Sequence, residues 1–307
     1  MTTAEAAGAA TGPVRREPRH GLRIAIIWTV LSAIFTPVVY FAWGPHMPPG
    51  DMSTSAVSQQ WDNTVLGTIA TPVILFIWVW FGYAIVNFRQ RGDVLEDGVP
   101  IKGSKRLAAT WVLTTSAIVA FAFGFGTYEL VVPAGAGGGE GPNPIWKPAG
   151  HHLLQVQVIA QQWRFTYRFP QFGGVETRYL ELPVHTPVQF NVTSLDVIHD
   201  WWAIKLGVKA DANPGVNNVA YTTALQTGPF TVRCDELCGI WHGAMYDNDR
   251  VVSKGAFLSW ARTQERVNAP LTKLLPPYAL TYAPSKQGAG GDYYIPDTIP
   301  NDPGYSD

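Results

Sequence analysis

Three long apolar runs, at residues 24–43, 66–88 and 107–132, precede a stretch in which apolar and polar residues alternate. A membrane's hydrocarbon core of roughly 30 Å needs about 20 helical residues at a rise of about 1.5 Å each, so each run predicts one membrane-crossing helix. Pro37 and Pro72 fall inside these runs, where proline kinks a helix and neighbouring helices can satisfy the freed backbone. The stretch 133–150 contains G-A-G-G-G-E-G-P-N-P and predicts a linker. From 151 onward L-L-Q-V-Q-V-I-A, W-R-F-T-Y-R-F, T-R-Y-L-E-L, V-Q-F-N-V-T-S and F-T-V-R-C alternate in polarity or are short and β-branched. That pattern predicts an all-β sandwich or barrel. Residues 254–268, with F-L-S-W-A between charged flanks, predict a closing helix at the end of a domain spanning 151–268. Residues 1–23 read as a disordered basic tail and 269–307 as an irregular one.

Charge then orients the chain. Arg15, Arg16, Arg19 and Arg23 precede the first run, residues 44–65 contain no Lys or Arg, and Arg89, Arg91, Lys102, Lys105 and Arg106 lie between the second and third runs. Basic loops stay in the cytoplasm, which puts the N-terminus and residues 89–106 inside and everything after the third helix outside. The first run is longer than a signal peptide's apolar segment and no small-x-small cleavage site follows it, so it is read as a retained helix. A net charge of -1 argues against a nucleic-acid partner.

The chemistry is concentrated in Cys234 to Met245, C-D-E-L-C-G-I-W-H-G-A-M, which contains both cysteines of the chain. Thiolate, imidazole and thioether are ligands that copper accepts and that magnesium, calcium and manganese do not favour. Cys234 and Cys238 can reach one place and bridge two metals, and His199 in S-L-D-V-I-H-D is the obvious second imidazole. A disulfide would leave His242 and Met245 unexplained, and zinc has no use for the thioether. His20, His46, His151, His152 and His185 lack ligand spacing and are expected to be solvated.

The loop C-x-E-x-C-x-x-x-H-x-x-M with an upstream histidine resembles subunit II of cytochrome c oxidase, over roughly residues 66–260. The apolar runs give three transmembrane helices, and the resemblance implies that an extracytoplasmic cupredoxin-like Greek-key β-sandwich follows them, in a bacterial plasma membrane. It implies a dinuclear copper centre, CuA, of two copper ions held by His199, Cys234, the main chain of Glu236, Cys238, His242 and Met245, with the Glu236 carboxylate left for magnesium at the contact with subunit I. Trp163 matches the family's exposed tryptophan where electrons arrive. The implied activity is that of an electron inlet: electrons pass from cytochrome c or another extracytoplasmic donor to CuA and on to haem in subunit I, which reduces oxygen to water and translocates protons. Subunit I and subunit III are the expected partners.

Several positions depart from the family. Arg164 and Phe165 replace Tyr and Trp after Trp163, and Arg168 stands where an acid is common. Ala108 in A-A-T-W occupies the place of a proton-channel glutamate, and the first helix is additional. Glu176, Asp196, Asp200 and Asp235 are expected to remain available for donor steering, diluted by Arg164, Arg168 and Arg233. No C-x-x-C-H haem-attachment motif occurs, which excludes a fused c-type haem domain built on it. A nitric oxide reductase copper subunit shares this loop, and a membrane-tethered copper carrier is a reading from another class.

Overall fold

The computed structural model describes residues 19–89, 92, 103–131 and 153–272. The N-terminal tail to 18, the linker, most of the basic loop, His151, His152 and the tail after 272 lie outside the described residues.

All three apolar runs form long helices. Helix α1, His20–Val38, continues through a π-helical turn Val39–Trp43 and a 3-10 turn Gly44–His46. Helix α2 is Thr54–Asn87 and α3 is Lys105–Val131. Their apolar side chains point outward, Phe41, Trp78 and Phe123 among the most exposed, as lipid-facing helices require. Helix α1 packs on α2, where the Trp28 indole donates to the Pro72 carbonyl at 2.8 Å. His20, expected to be solvated, begins α1 instead, with Nδ1 2.8 Å from the Tyr83 hydroxyl.

Helix α2 starts at Thr54, twelve residues before the apolar run at 66. Its extra turns are polar because they dock on protein. Ser53 caps the helix, accepting from the Ala56 amide at 3.1 Å, and its hydroxyl donates to the Leu206 carbonyl at 2.6 Å. Gln59 donates to the Gly207 carbonyl at 2.6 Å and Ser55 meets the Thr222 hydroxyl at 3.1 Å. The Leu225 amide donates to Met52 at 2.8 Å. A Cβ on Gly207 would sit 2.9 Å from both Ala56 Cα and Ala56 N, so only glycine lets helix and domain approach this closely.

The domain is a sandwich of two five-stranded sheets. Its strands are β1 (Leu154–Gln161), β2 (Arg164–Phe169), β3 (Val175–Thr177), β4 (Glu181–Pro183), β5 (Pro187–Ser194), β6 (His199–Ala203), β7 (Val208–Ala212), β8 (Asn218–Thr223), β9 (Gly228–Cys234) and β10 (Tyr246–Val252). The orders are β3-β2-β1-β5-β8 and β4-β10-β9-β6-β7, with parallel pairs β1–β5 and β4–β10 among antiparallel neighbours. Phe165, Tyr167, Phe169, Phe190, Trp201 and Phe230 fill the interior. Helix α4, Lys254–Thr272, closes one end by setting Phe257 and Trp260 against Phe169; it runs four residues past the expected 268.

Strand β10 explains why alternation alone did not reveal it. Its inward residues include Asp247 and Asp249. Burial pushes the Asp249 carboxyl up to about 7, and it accepts hydrogen bonds from the Leu180 amide at 2.8 Å and the Tyr167 hydroxyl at 3.2 Å. Asp247 pairs with Arg178 at 2.9 Å.

Candidate metal centre

Strand pairing assembles the site. Cys234 ends β9 opposite Trp201 of β6, two residues beyond His199 at the start of that strand. The loop between β9 and β10 is closed at its base by the Cys234 amide, which donates to the Met245 carbonyl at 3.0 Å. The Asp235 amide also donates to the Asp200 carbonyl, at 3.1 Å. Gly239 holds a φ of +115°, and a Cβ there would press on the Trp163 ring at 3.2 Å and the Gln162 amide at 3.0 Å. Glycine therefore permits both the turn and the contact.

All five side chains expected at the site, His199, Cys234, Cys238, His242 and Met245, converge in an extended cluster. The two sulfurs lie 3.7 Å apart and both cysteines are free; a disulfide would require about 2.05 Å. His199 Nδ1 is 3.7 Å from Cys234 Sγ, and His242 Nδ1 is 3.6 Å from Cys238 Sγ. Met245 Sδ lies 3.9 Å from Cys238 Sγ, and the Glu236 carbonyl 3.3 Å from Cys234 Sγ. His199, Cys234 and Cys238 place one donor atom each within 4.8 Å of one another. With metal–sulfur bonds of about 2.3 Å, sulfurs this close can share an ion. The pseudo-symmetric arrangement, one imidazole beside each sulfur, offers each of two ions its own nitrogen. Soft sulfur and borderline imidazole donors fit copper.

Electrostatics favour a cation. Burial pushes both thiols up, but hydrogen bonds from His199 and the main chain of Asp200 bring Cys234 down to about 7. Cys238 is pushed up to about 12 by burial and by the adjacent Cys234 sulfur. The protein's own groups thus favour one thiolate, and ionising both calls for metal charge beside them. Burial lowers His199, and the bonds to Cys234 and Asp196 more than offset it, leaving it raised.

Asp196 was missed as part of this site. Its Oδ1 lies 2.9 Å from His199 Nε2, a contact that turns the Nδ1 lone pair toward the sulfurs. Burial raises the Asp196 carboxyl, yet hydrogen bonds from the Gln162 amide, His199 and the Val197 amide leave it lowered. The D-x-x-H spacing of Asp196 and His199 was the signal available in the sequence.

The four acids expected to face a donor all have partners. Asp196, although exposed, bonds His199, Glu176 pairs with Arg168 at 2.8 Å, and Lys209 binds Asp200 at 3.1 Å and Asp235 at 2.5 Å. Trp163 lies in the turn between β1 and β2 rather than in a strand. It is partly exposed, and its indole donates to the Cys238 carbonyl at 3.1 Å. Gln162 donates to the same carbonyl at 2.9 Å. Glu236 is exposed.

Comparison with known proteins follows the same lines. The family described as cytochrome C oxidase subunit II, periplasmic domain, matches residues 174–248. The chain is 32% identical over 236 residues to the "Probable cytochrome c oxidase subunit 2" of Rickettsia prowazekii, covering 67% of this chain and 69% of that relative. It is 27% identical to the cytochrome c oxidase subunit 2 of Synechocystis, over 71% of this chain and 76% of that one. Among solved structures, the periplasmic domain of subunit II of cytochrome oxidase of Bradyrhizobium japonicum is 30% identical, covering 39% of this chain and 99% of that one with a TM-score of 0.37.

Proposed function

The chain belongs to the cytochrome c oxidase subunit II family, and on that premise we propose that its metal loop is a dinuclear copper electron inlet. It is the electron-accepting subunit of a cytochrome c oxidase, a membrane-anchored chain with an extracytoplasmic sandwich domain working beside a haem-copper catalytic chain. None of the relatives above supports the nitric oxide reductase or copper-carrier readings.

The observation that carries the reading is the paired geometry: two sulfurs 3.7 Å apart, each with an imidazole nitrogen at 3.6 or 3.7 Å. Cys234 and Cys238 would bridge two copper ions, His199 and His242 would each hold one, and Met245 and the Glu236 carbonyl would complete the set. Copper bound this way supplies a one-electron carrier. Strands β6 and β9 fix His199 and Cys234, and Gln162 and Trp163 hold the Cys238 carbonyl, so little would move when charge changes. Asp196 orients His199, and burial of Cys234, Cys238 and Met245 excludes water.

Trp163 would be the inlet, its indole reaching from the surface to the Cys238 carbonyl. The Glu236 carboxylate would hold magnesium at the subunit I contact. Cytochrome c or a similar donor, subunit III, a bacterial membrane and a cytoplasmic N-terminus complete the reading.

The test is Cys238→Ser in the purified complex. Reduction of haem by the donor should be lost while haem still reacts directly with dithionite. Donor-driven turnover at the normal rate would refute the assignment.

A further inference from the structure

One carboxyl group lies in the interior of the sandwich without an ion pair among the described residues. Asp249 of β10 is 2% exposed. Its Oδ1 accepts from the Leu180 amide and its Oδ2 from the Tyr167 hydroxyl, and that hydroxyl accepts from the Trp201 indole at 3.4 Å. The titratable and charged groups that face it are Tyr167 from β2, Asp247 from its own strand and Arg178 from the turn between β3 and β4. Arg178 is committed to Asp247. A carboxyl group buried beside a second acid and held by two neutral donors favours its protonated form.

The strands tie this carboxyl to the metal loop. Asp249 stands opposite Phe230 in the β9–β10 register, and Cys234 is four residues further along β9; at about 3.3 Å per residue the separation is roughly 13 Å. Trp201 stands opposite Cys234, so the hydrogen bonds that start at Asp249 end on the residue paired with that cysteine. What lies between is packed interior, where charges are screened far less than at the surface. An electron arriving on the metal loop adds negative charge that Asp249 feels, and this strengthens its hold on a proton.

We propose that Asp249 is a proton-binding site coupled to the metal loop: as the loop takes one electron from the donor, Asp249 carboxylates take up protons from water, and they release them when the electron leaves. The proposal rests on the metal loop being the electron inlet. The balance is one electron from the donor and up to one proton from solvent, and the carboxyl O–H is the only bond formed. Because the reduced state binds the proton more tightly, acid favours reduction. The reduction potential of the site therefore falls as pH rises through the titration of Asp249, and is level on either side.

The test follows the reduction potential of the copper absorption in the copper-loaded full chain in detergent, over roughly two pH units either side of 7. Infrared difference spectra between the reduced and oxidised states are recorded on the same samples. The potential should fall as pH rises, and a protonated-carboxyl stretch should gain intensity on reduction. Asp249→Asn keeps the shape of the side chain but cannot titrate, so its potential should be level over that range and the carboxyl band absent. Tyr167→Phe leaves Asp249 in place and removes a hydroxyl that steadies the carboxylate, so the fall should move to higher pH; a purely structural Tyr167 would leave it where it was. A potential independent of pH in the unmodified chain, a slope that survives Asp249→Asn, or an unmoved fall in Tyr167→Phe would overturn the proposal. A chain whose copper takes up no electron at any pH would instead refute the electron-inlet reading.

Discussion

Replacing Gly207 with alanine should separate the sandwich from its membrane helix without touching the metal loop. Gly207 has φ of +59°, a conformation that costs an L-residue roughly 1–2 kcal/mol. The new Cβ would lie 2.9 Å from the backbone of Ala56, so the first turn of α2 must withdraw. That withdrawal strains the bonds from Ser53 to Leu206 and from Gln59 to Gly207, both 2.6 Å, each worth about 1 kcal/mol net. The sum is roughly 3–4 kcal/mol. Gly215 isolates the backbone component, because its φ is +74° and nothing lies within 4 Å of its Cβ position; Gly215→Ala should cost only about 1–2 kcal/mol. Denaturant unfolding of the full chain in detergent, followed by near-ultraviolet circular dichroism, compares the two. In the assembled oxidase Gly207→Ala should also slow copper-to-haem transfer with the copper absorption intact, because the domain is no longer fixed over its partner. Equal destabilisation by the two substitutions would refute the close-approach reasoning.

Trp163→Phe keeps most of the packing and loses the hydrogen bond to Cys238; reduction by the protein donor should slow at least about tenfold, equivalent to about 1.4 kcal/mol on the barrier, while a small mediator still reduces the copper normally. Equal slowing with both reductants would remove Trp163 from the path. Asp249 has a folded pKa of about 7 against an ordinary 3.8, so the folded state binds the extra proton between those values and stability is full below about 3.8 and falls as pH rises to about 7. At about 1.4 kcal/mol per pKa unit the loss is on the order of 4 kcal/mol, and Asp249→Asn should flatten that part of the stability profile; an unchanged slope would contradict the burial argument. With Cys234 at about 7, Cys238 at about 12 and His199 raised, copper binding should release at least one proton per site above pH 7 and more below it, so affinity falls with acidification. Proton release measured in weakly buffered titrations checks this, and pH-independent affinity would contradict it.

The membrane helices and the metal loop were legible in the sequence because each has a local signature: unbroken apolar length in one case, soft ligands at fixed spacing in the other. What escaped depended on partners distant in the chain. The turns of α2 from Thr54 to the apolar run are polar and read as a loop, since the groups they bond, Leu206, Gly207 and Thr222, come from the far side of the sandwich. Strand β10 hid because its core-facing positions include two aspartates that only Arg178, Tyr167 and Leu180 make tolerable. Asp196 looked like a surface acid for donor steering, and only the fold of the loop before β6 turns it onto His199. His20 likewise read as solvated until α2 brought Tyr83 beside it.

Electron paramagnetic resonance of the copper-loaded full chain in detergent, with metal analysis on the same sample, tests the dinuclear assignment most directly. Two copper ions per chain and hyperfine structure from one unpaired electron shared over two copper nuclei are expected, and Cys238→Ser should abolish that signal. A single copper with a one-nucleus pattern, or zinc in place of copper, would contradict it.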